Sequence, residues 1–200
     1  KKMRILSVGE AQDLIEEINN ERDEKLVEFT LSHGLRNSEA VSLKRKHFDL
    51  DNKNLWVEQG KRGKDRVISI DNDKEEEVRG YIKGLDREEY LFPSPITYSH
   101  ISTRHFQTMI RRNAVEAGLY DDHEEEITKP SDVTRKIPYK ERITPHTLRH
   151  TFSVRLLRNG TPIQEVSKLL GHERFEITIN SYDFYDIEEG RKHMNRATFS

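Results

Sequence analysis

Apolar residues recur at helical spacing along several stretches of the chain and alternate at strand spacing in two. Leu14, Ile15 and Ile18 follow Ser7 and Glu10, a capping box ahead of an amphipathic run, which predicts a helix over residues 7–19. Leu26, Val27, Phe29, Thr30 and Leu31 predict a second helix over 21–33, stopped by Gly34. A third opens at Asn37 or Ser38 and runs through Leu43. The period then changes. Residues 54–58 (NLWVE) and 66–70 (RVISI) alternate like strands, and the two glycines of QGKRGKD between them suit a hairpin.

An acidic helix is expected over 73–83, a proline-punctuated loop over 91–98, and a long helix over 99–117 ended by Gly118. Residues 119–142 show no sustained period and hold two prolines, so an extended loop with room for a short hairpin is expected there. Thr144-Pro145 places an N-cap before a proline at the first helical position, starting a helix that runs to Gly160. Thr161-Pro162 repeats the device for a helix ending at Gly171, and the tail from 175 reads as one or two short helices. With no internal repeat and no linker-like tract, the pattern describes one domain, helical with a small strand region.

Composition narrows the class. A chain of 200 residues that is 33% hydrophobic holds one core and little more. The longest stretch free of charge, residues 90–103, contains Pro93 and Pro95 and falls short of the ~20 apolar residues of a membrane span. No signal-peptide pattern opens the chain. The absence of cysteine excludes disulfides, thiol catalysis and cysteine-held zinc, and suits a reducing compartment.

A formal net charge of −2 argues at first against a polyanionic partner, but its distribution argues for one. Residues 36–66 carry nine basic and five acidic side chains, residues 104–112 three basic and no acidic, and residues 129–158 eight basic and two acidic. The compensating acid is concentrated elsewhere, in runs such as 75–77 and 121–126. Segregation of this kind lets one face attract nucleic acid while the whole molecule stays near neutral.

The densest chemistry lies in ITPHTLRHTF, residues 143–152. His146 and Arg149 are three apart and share a helix face. They stand near the helix start, where unpaired N–H groups and the dipole favour an anion. An imidazole that exchanges protons near neutrality beside a fixed guanidinium charge suits phosphate chemistry. On its own HxxR is weak, since such pairs also cap helices. His146 and His150 at i, i+4 are no metal site by pattern: no glutamate in the HExxH position and no third ligand accompany them.

Five motifs in order change the weight of that segment: Gly34-Leu35-Arg36-Asn37-Ser38-Glu39, the hairpin lysine Lys61, His146-Thr147-Leu148-Arg149-His150, Leu169-Leu170-Gly171-His172, and Tyr182. In this order and spacing the chain resembles the catalytic domain of the tyrosine recombinase (phage integrase) family over nearly its whole length. The resemblance implies an α+β fold, mostly α-helical, with a small antiparallel β-sheet. It implies that residues 1–200 form the catalytic domain, without the N-terminal helical domain that closes a clamp on DNA.

It also implies a site-specific recombinase or integrase of a mobile element, cleaving and rejoining DNA through a 3′-phosphotyrosyl intermediate with no cofactor and no metal. Tyr182 is then the nucleophile, Arg36 and Arg149 grip the non-bridging oxygens, and Lys61 protonates the leaving 5′-oxygen. His146 accepts a proton or donates to the phosphate, and His172 is a second donor. Glu39 and His150 support these groups. The implied partners are double-stranded recombination sites and further copies of the chain, a tetramer on DNA, in a prokaryotic or viral cytoplasmic setting with no membrane.

Several positions leave alternatives open. Lys64 shares the hairpin turn with Lys61, Tyr185 lies three residues past Tyr182, and His172 alone reads equally as a structural histidine at a helix end. Asn37 stands where the family pattern has an apolar residue, Phe184 where a histidine is frequent, and the 119–142 segment is long and charged. A type IB topoisomerase-like nicking and resealing enzyme shares the chemistry. A non-cutting DNA-binding relative would not need Arg36, Lys61, His146, Arg149, His172 and Tyr182 together.

Overall fold

The structure, a computed structural model, describes residues 3–58, 65–120, 123 and 127–171. Eight α-helices and a three-stranded sheet occupy that range. α1 (Val8–Glu16) starts on the expected capping box, with Glu10 N–H donating to Ser7 Oγ at 3.1 Å and Ser7 N–H to Glu10 Oε2 at 2.7 Å. α2 (Glu21–His33) is capped by Asn20 and ends at Gly34, whose φ of 60° is the left-handed conformation that favours glycine. α3 (Asn37–Val41) is shorter than its pattern predicts, closing at Val41 instead of Leu43.

The sheet follows. β2 (Asn54–Val57) and β3 (Arg66–Ser69) are the two expected strands, antiparallel, with Leu55 opposite Ile68 and Val57 opposite Arg66. A third strand, β1 (Phe48–Asp49), pairs with β2 and was not expected, because two residues are too few to show a period. Along β3 burial alternates, with Arg66 and Ile68 inward, Val67 and Ser69 outward. α4 (Asn72–Tyr81) is the expected acidic helix, and α5 (Thr103–Glu116) the expected long one, opening four residues later than its pattern predicts because Ser102 is its N-cap.

The expectation of an irregular segment over 119–142 is corrected. α6 (Pro130–Lys136) forms there, followed by a 3₁₀ turn over Tyr139–Glu141. Pro130 sits in the first helical turn, where its missing N–H costs nothing. Asp132 Oδ2 accepts the N–H groups of Thr128 and Lys129 ahead of it. α7 (Pro145–Arg158) opens as expected on Thr144. α8 (Ile163–Leu170) begins one residue later than its pattern suggests, with Pro162 as the N-cap itself, and ends at Gly171 with φ 62°.

α2 is the central helix and packs along α7. Leu26, Val27 and Phe29 are buried, and the Phe29 ring meets Phe48 and Phe92 edge-on. Side chains of this size contribute roughly 1.5–3 kcal/mol each when buried, and they fix the two helix ends that carry the candidate site. A smaller cluster of Phe152, Val166 and Leu170 holds α8 against α7. Among the described residues no helix is long and apolar enough to cross a membrane.

Candidate active site

The α2–α3 turn and the start of α7 meet at a cleft of about 530 Å³. Gly34 reverses the chain so that Arg36 stands as N-cap of α3, its backbone N–H donating to Glu39 Oε2 at 2.7 Å. The opposite wall is set by α7. Tyr120 Oη accepts the Ile143 N–H at 3.0 Å, and Thr144 and Thr147 cap each other at the helix start. His146 and Arg149 then project from the first turns of α7 into the same cleft as Arg36. The shared face inferred from their spacing is realised.

The lining also includes Arg111 of α5 and Arg142, so each basic sequence window contributes an arginine: 36 from the first, 111 from the second, 142 and 149 from the third. Neither aspartate nor glutamate lines the cleft among the described residues. Asn37, the residue that departs from the family pattern, donates from Nδ2 to the Thr103 carbonyl at 3.1 Å and ties α3 to the start of α5.

Beneath the cleft lies Glu39, its side chain 7% exposed. Burial pushes its carboxyl up, but hydrogen bonds and charge from Arg66, then from Arg36, outweigh that and bring it down to about 2. It is a carboxylate at any working pH. Arg36 Nη1 reaches it at 2.7 Å, and Arg66 grips both of its oxygens at 2.9 and 2.7 Å. Arg149 is held by neutral oxygens, donating to Gly34 O at 2.7 Å and Leu170 O at 2.5 Å. Sequence reasoning placed Glu39 here and missed Arg66. Arg66 shares the inward phase of Ile68 and Ile70, and a charge on a core-facing strand position must find a partner.

His146 opens onto solvent in the cleft, yet the cleft walls, and then the positive charge of Arg149, hold its pKa below the usual imidazole value. It is therefore neutral near pH 7 and able to accept a proton. His150 lies behind it, buried, and burial followed by the charge of His146 brings it to about 4. Lys61, His172 and Tyr182, with the rivals Lys64 and Tyr185, lie outside the described residues. Of the six expected site residues, Arg36, His146 and Arg149 are brought together.

A helical domain that brings four arginines and a neutral histidine to one cleft, with no carboxylate among the described lining residues, has the charge and the donors of an anion site. The chain belongs to the phage integrase family, whose sequence pattern matches residues 4–187. It is 31% identical to the tyrosine recombinase XerA of Thermococcus kodakarensis over 88% of its own length and 55% of that protein's. It is 28% identical to the tyrosine recombinase XerD of Staphylococcus aureus over 96% of its own length and 61% of that protein's. The chain thus spans about half the length of the curated relatives it matches. Among solved structures it superposes on XerA recombinase with a TM-score of 0.73 at 26% identity, over 100% of this chain and 67% of that one. The fold is also that of the Tn1549 transposon integrase, determined in complex with transposon right end DNA, with a TM-score of 0.72 at 20% identity over 100% of this chain and 67% of that one.

Proposed function

We propose that this chain is the catalytic part, over residues 1–200, of a site-specific tyrosine recombinase that acts on double-stranded DNA. The observation that carries the reading is the cleft itself, where one arginine or more from each basic window meets His146 with no opposing carboxylate among the described residues. Such a surface favours a phosphodiester over any neutral or cationic ligand.

The residues divide the reaction as follows. Tyr182 Oη attacks the scissile phosphorus as the bond to the 5′-oxygen breaks, leaving a 3′-phosphotyrosine and conserving the bond energy for rejoining. His146, neutral at working pH, takes the phenol proton. Lys61 gives a proton to the departing 5′-oxygen. Arg36 and Arg149 spread charge over the non-bridging oxygens as the pentacoordinate state forms, and His172 donates to one of them. These charges do the work at the phosphate that a metal ion performs elsewhere. A partner strand's 5′-hydroxyl then attacks the phosphotyrosine and reverses the sequence. One Tyr182 per copy cuts one strand, so exchange between two duplexes calls for a tetramer, in the cytoplasmic setting of a prokaryotic or mobile-element host.

The test is incubation with a nicked suicide duplex carrying the cognate site, sought beside the gene, followed by denaturing electrophoresis. The chain should form a covalent protein–DNA adduct. Tyr182→Phe should abolish it while leaving DNA binding intact, and Tyr185→Phe should retain it. An adduct from Tyr182→Phe, or a tryptic peptide modified at Tyr185, moves the nucleophile to Tyr185. Binding without any adduct from the unaltered chain sinks the enzyme reading in favour of a non-cutting binder.

A further inference from the structure

Three arginines from remote parts of the chain end on three successive backbone carbonyls. Arg66 Nε donates to Leu169 O at 2.7 Å, Arg149 Nη2 to Leu170 O at 2.5 Å, and Arg36 Nη2 to Gly171 O at 2.8 Å. These carbonyls close α8, where the last turn lacks intrahelical donors and the negative end of the helix dipole favours cations. Arg36 and Arg149 also line the cleft; Arg66 does not. With its side chain 6% exposed, Arg66 is placed to act on the other two and not on a bound phosphate.

Its leverage is Glu39. A carboxylate offers about four acceptor sites, and here four short contacts fill them. Oε1 accepts from Arg36 Nη1 at 2.7 Å and Arg66 Nη1 at 2.9 Å, while Oε2 accepts from the Arg36 backbone at 2.7 Å and Arg66 Nη2 at 2.7 Å. Arg149 Nη1 lies 3.8 Å from Oε2, past hydrogen-bond reach. Without Arg66, two acceptor sites on a buried anion open beside Arg149. The guanidinium that belongs in the cleft is then drawn down onto Glu39, and Leu169 loses the donor that fixes the end of α8.

We propose that Arg66 is a positioning residue: by filling Glu39 with a two-pronged grip and holding the Leu169 carbonyl, it keeps Arg36 and Arg149 turned toward the phosphate. This rests on the recombinase reading for its catalytic consequence, but the arrangement predicts anion binding independently of strand cleavage. Lysine cannot reproduce the grip, because a single ammonium lacks the planar fork that meets two carboxylate oxygens and a carbonyl together.

The experiment uses the full chain with Arg66→Met and Arg66→Lys, titrated with orthovanadate as a phosphate stand-in and assayed on the suicide duplex under single-turnover conditions. Arg36→Ala and Arg149→Ala mark the anion signal that belongs to the cleft, and circular dichroism corrects each value for the folded fraction. Arg66→Met should weaken vanadate binding roughly tenfold or more, and slow adduct formation at saturating DNA by a similar factor. Arg66→Lys should recover part of both. If Arg66→Met does not fold, Arg66→Lys carries the test, with a folded protein of reduced anion affinity expected.

Parental affinity and rate in the folded fraction of either variant would reduce Arg66 to a fold-stabilising ion pair and overturn the proposal. So would a parental chain whose vanadate binding ignores Arg36 and Arg149. Vanadate affinity that depends on Arg66 in a chain that never forms an adduct would leave the positioning role standing and remove the recombinase reading instead.

Discussion

The Phe152 ring packs against Gly34 so closely that a methyl group added there would overlap ring atoms Cδ1 and Cε1. Gly34 also has φ 60°, and its carbonyl accepts Arg149 Nη1. One residue thus ends α2, receives α7 and holds a cleft arginine. Gly34→Ala should cost about 1–2 kcal/mol for the left-handed conformation alone, and about 1–3 kcal/mol more for the overlap. Urea unfolding should report the sum as a lowered midpoint at unchanged slope. A midpoint equal to that of the parent would mean that the α2–α7 contact is looser than the geometry states.

Arg149→Ala should slow the chemical step by roughly 10²-fold or more, by analogy with removing one transition-state donor, with a smaller effect on duplex binding. The same logic makes cleavage indifferent to chelation. Adduct formation should proceed in excess EDTA at the rate seen with Mg²⁺. Activity that vanishes with EDTA and returns with a divalent ion would overturn the division of labour among the arginines.

Lys61 is tested through its leaving group. A 5′-bridging phosphorothiolate departs without needing a proton, so Lys61→Ala should be slow on ordinary DNA and restored on the sulfur-substituted duplex. Lys64→Ala should stay nearly normal on both. The reverse pattern assigns the proton to Lys64.

Acid should unfold the protein in a window set by two buried imidazoles. Burial brings His33 down to about 4, and burial with the charge of His146 does the same for His150. An unfolded histidine titrates near 6.5. Between those values the unfolded chain binds more protons, so this stability is complete above about 6.5 and is lost as pH falls toward 4. For His33 the loss is on the order of 3 kcal/mol. Glu39, held at about 2, adds its own loss only below the ordinary carboxyl value of 4.5. Thermal melts from pH 8 to pH 4 should show the decline, and His33→Phe should flatten it. An unchanged slope in that variant would place the titration elsewhere.

How much of this was readable in the chain depends on what each feature needs in order to exist. The capping box of Ser7 and Glu10, the Thr144-Pro145 start and the Gly34 and Gly171 stops are local chemistry, and each appears where the sequence places it. β1 was illegible because Phe48 and Asp49 gain their strand character from pairing with Leu55 and Asn54. α6 was misread because Pro130 was taken as a breaker, although a proline followed by Asp132 also marks a helix start.

In the site, Arg36, His146 and Arg149 were legible from motif and spacing. Their convergence with Arg111 and Arg142 was foreshadowed by the charge windows and fixed by packing. Arg66 carried a signal, its phase with Ile68 and Ile70, that went unused. Its partners Glu39 and Leu169 lie 27 and 103 residues away, and no local pattern could name them.

The grip of three arginines on the end of α8 has a consequence for how the protein can change. Each contact joins a side chain to a main-chain oxygen, and every amino acid supplies that oxygen. Substitution is therefore constrained by packing, at Leu170 against Phe152 and Val166 and at Leu169 against the main core, and any residue that fits the space leaves the acceptor in place. On the other side of each contact the freedom is far smaller, since a guanidinium has no substitute of the same shape. Mutational tolerance across this junction should be one-sided: permissive at Leu169 and Leu170, and strict at Arg36, Arg66 and Arg149, with Gly171 held to glycine by its own φ of 62°.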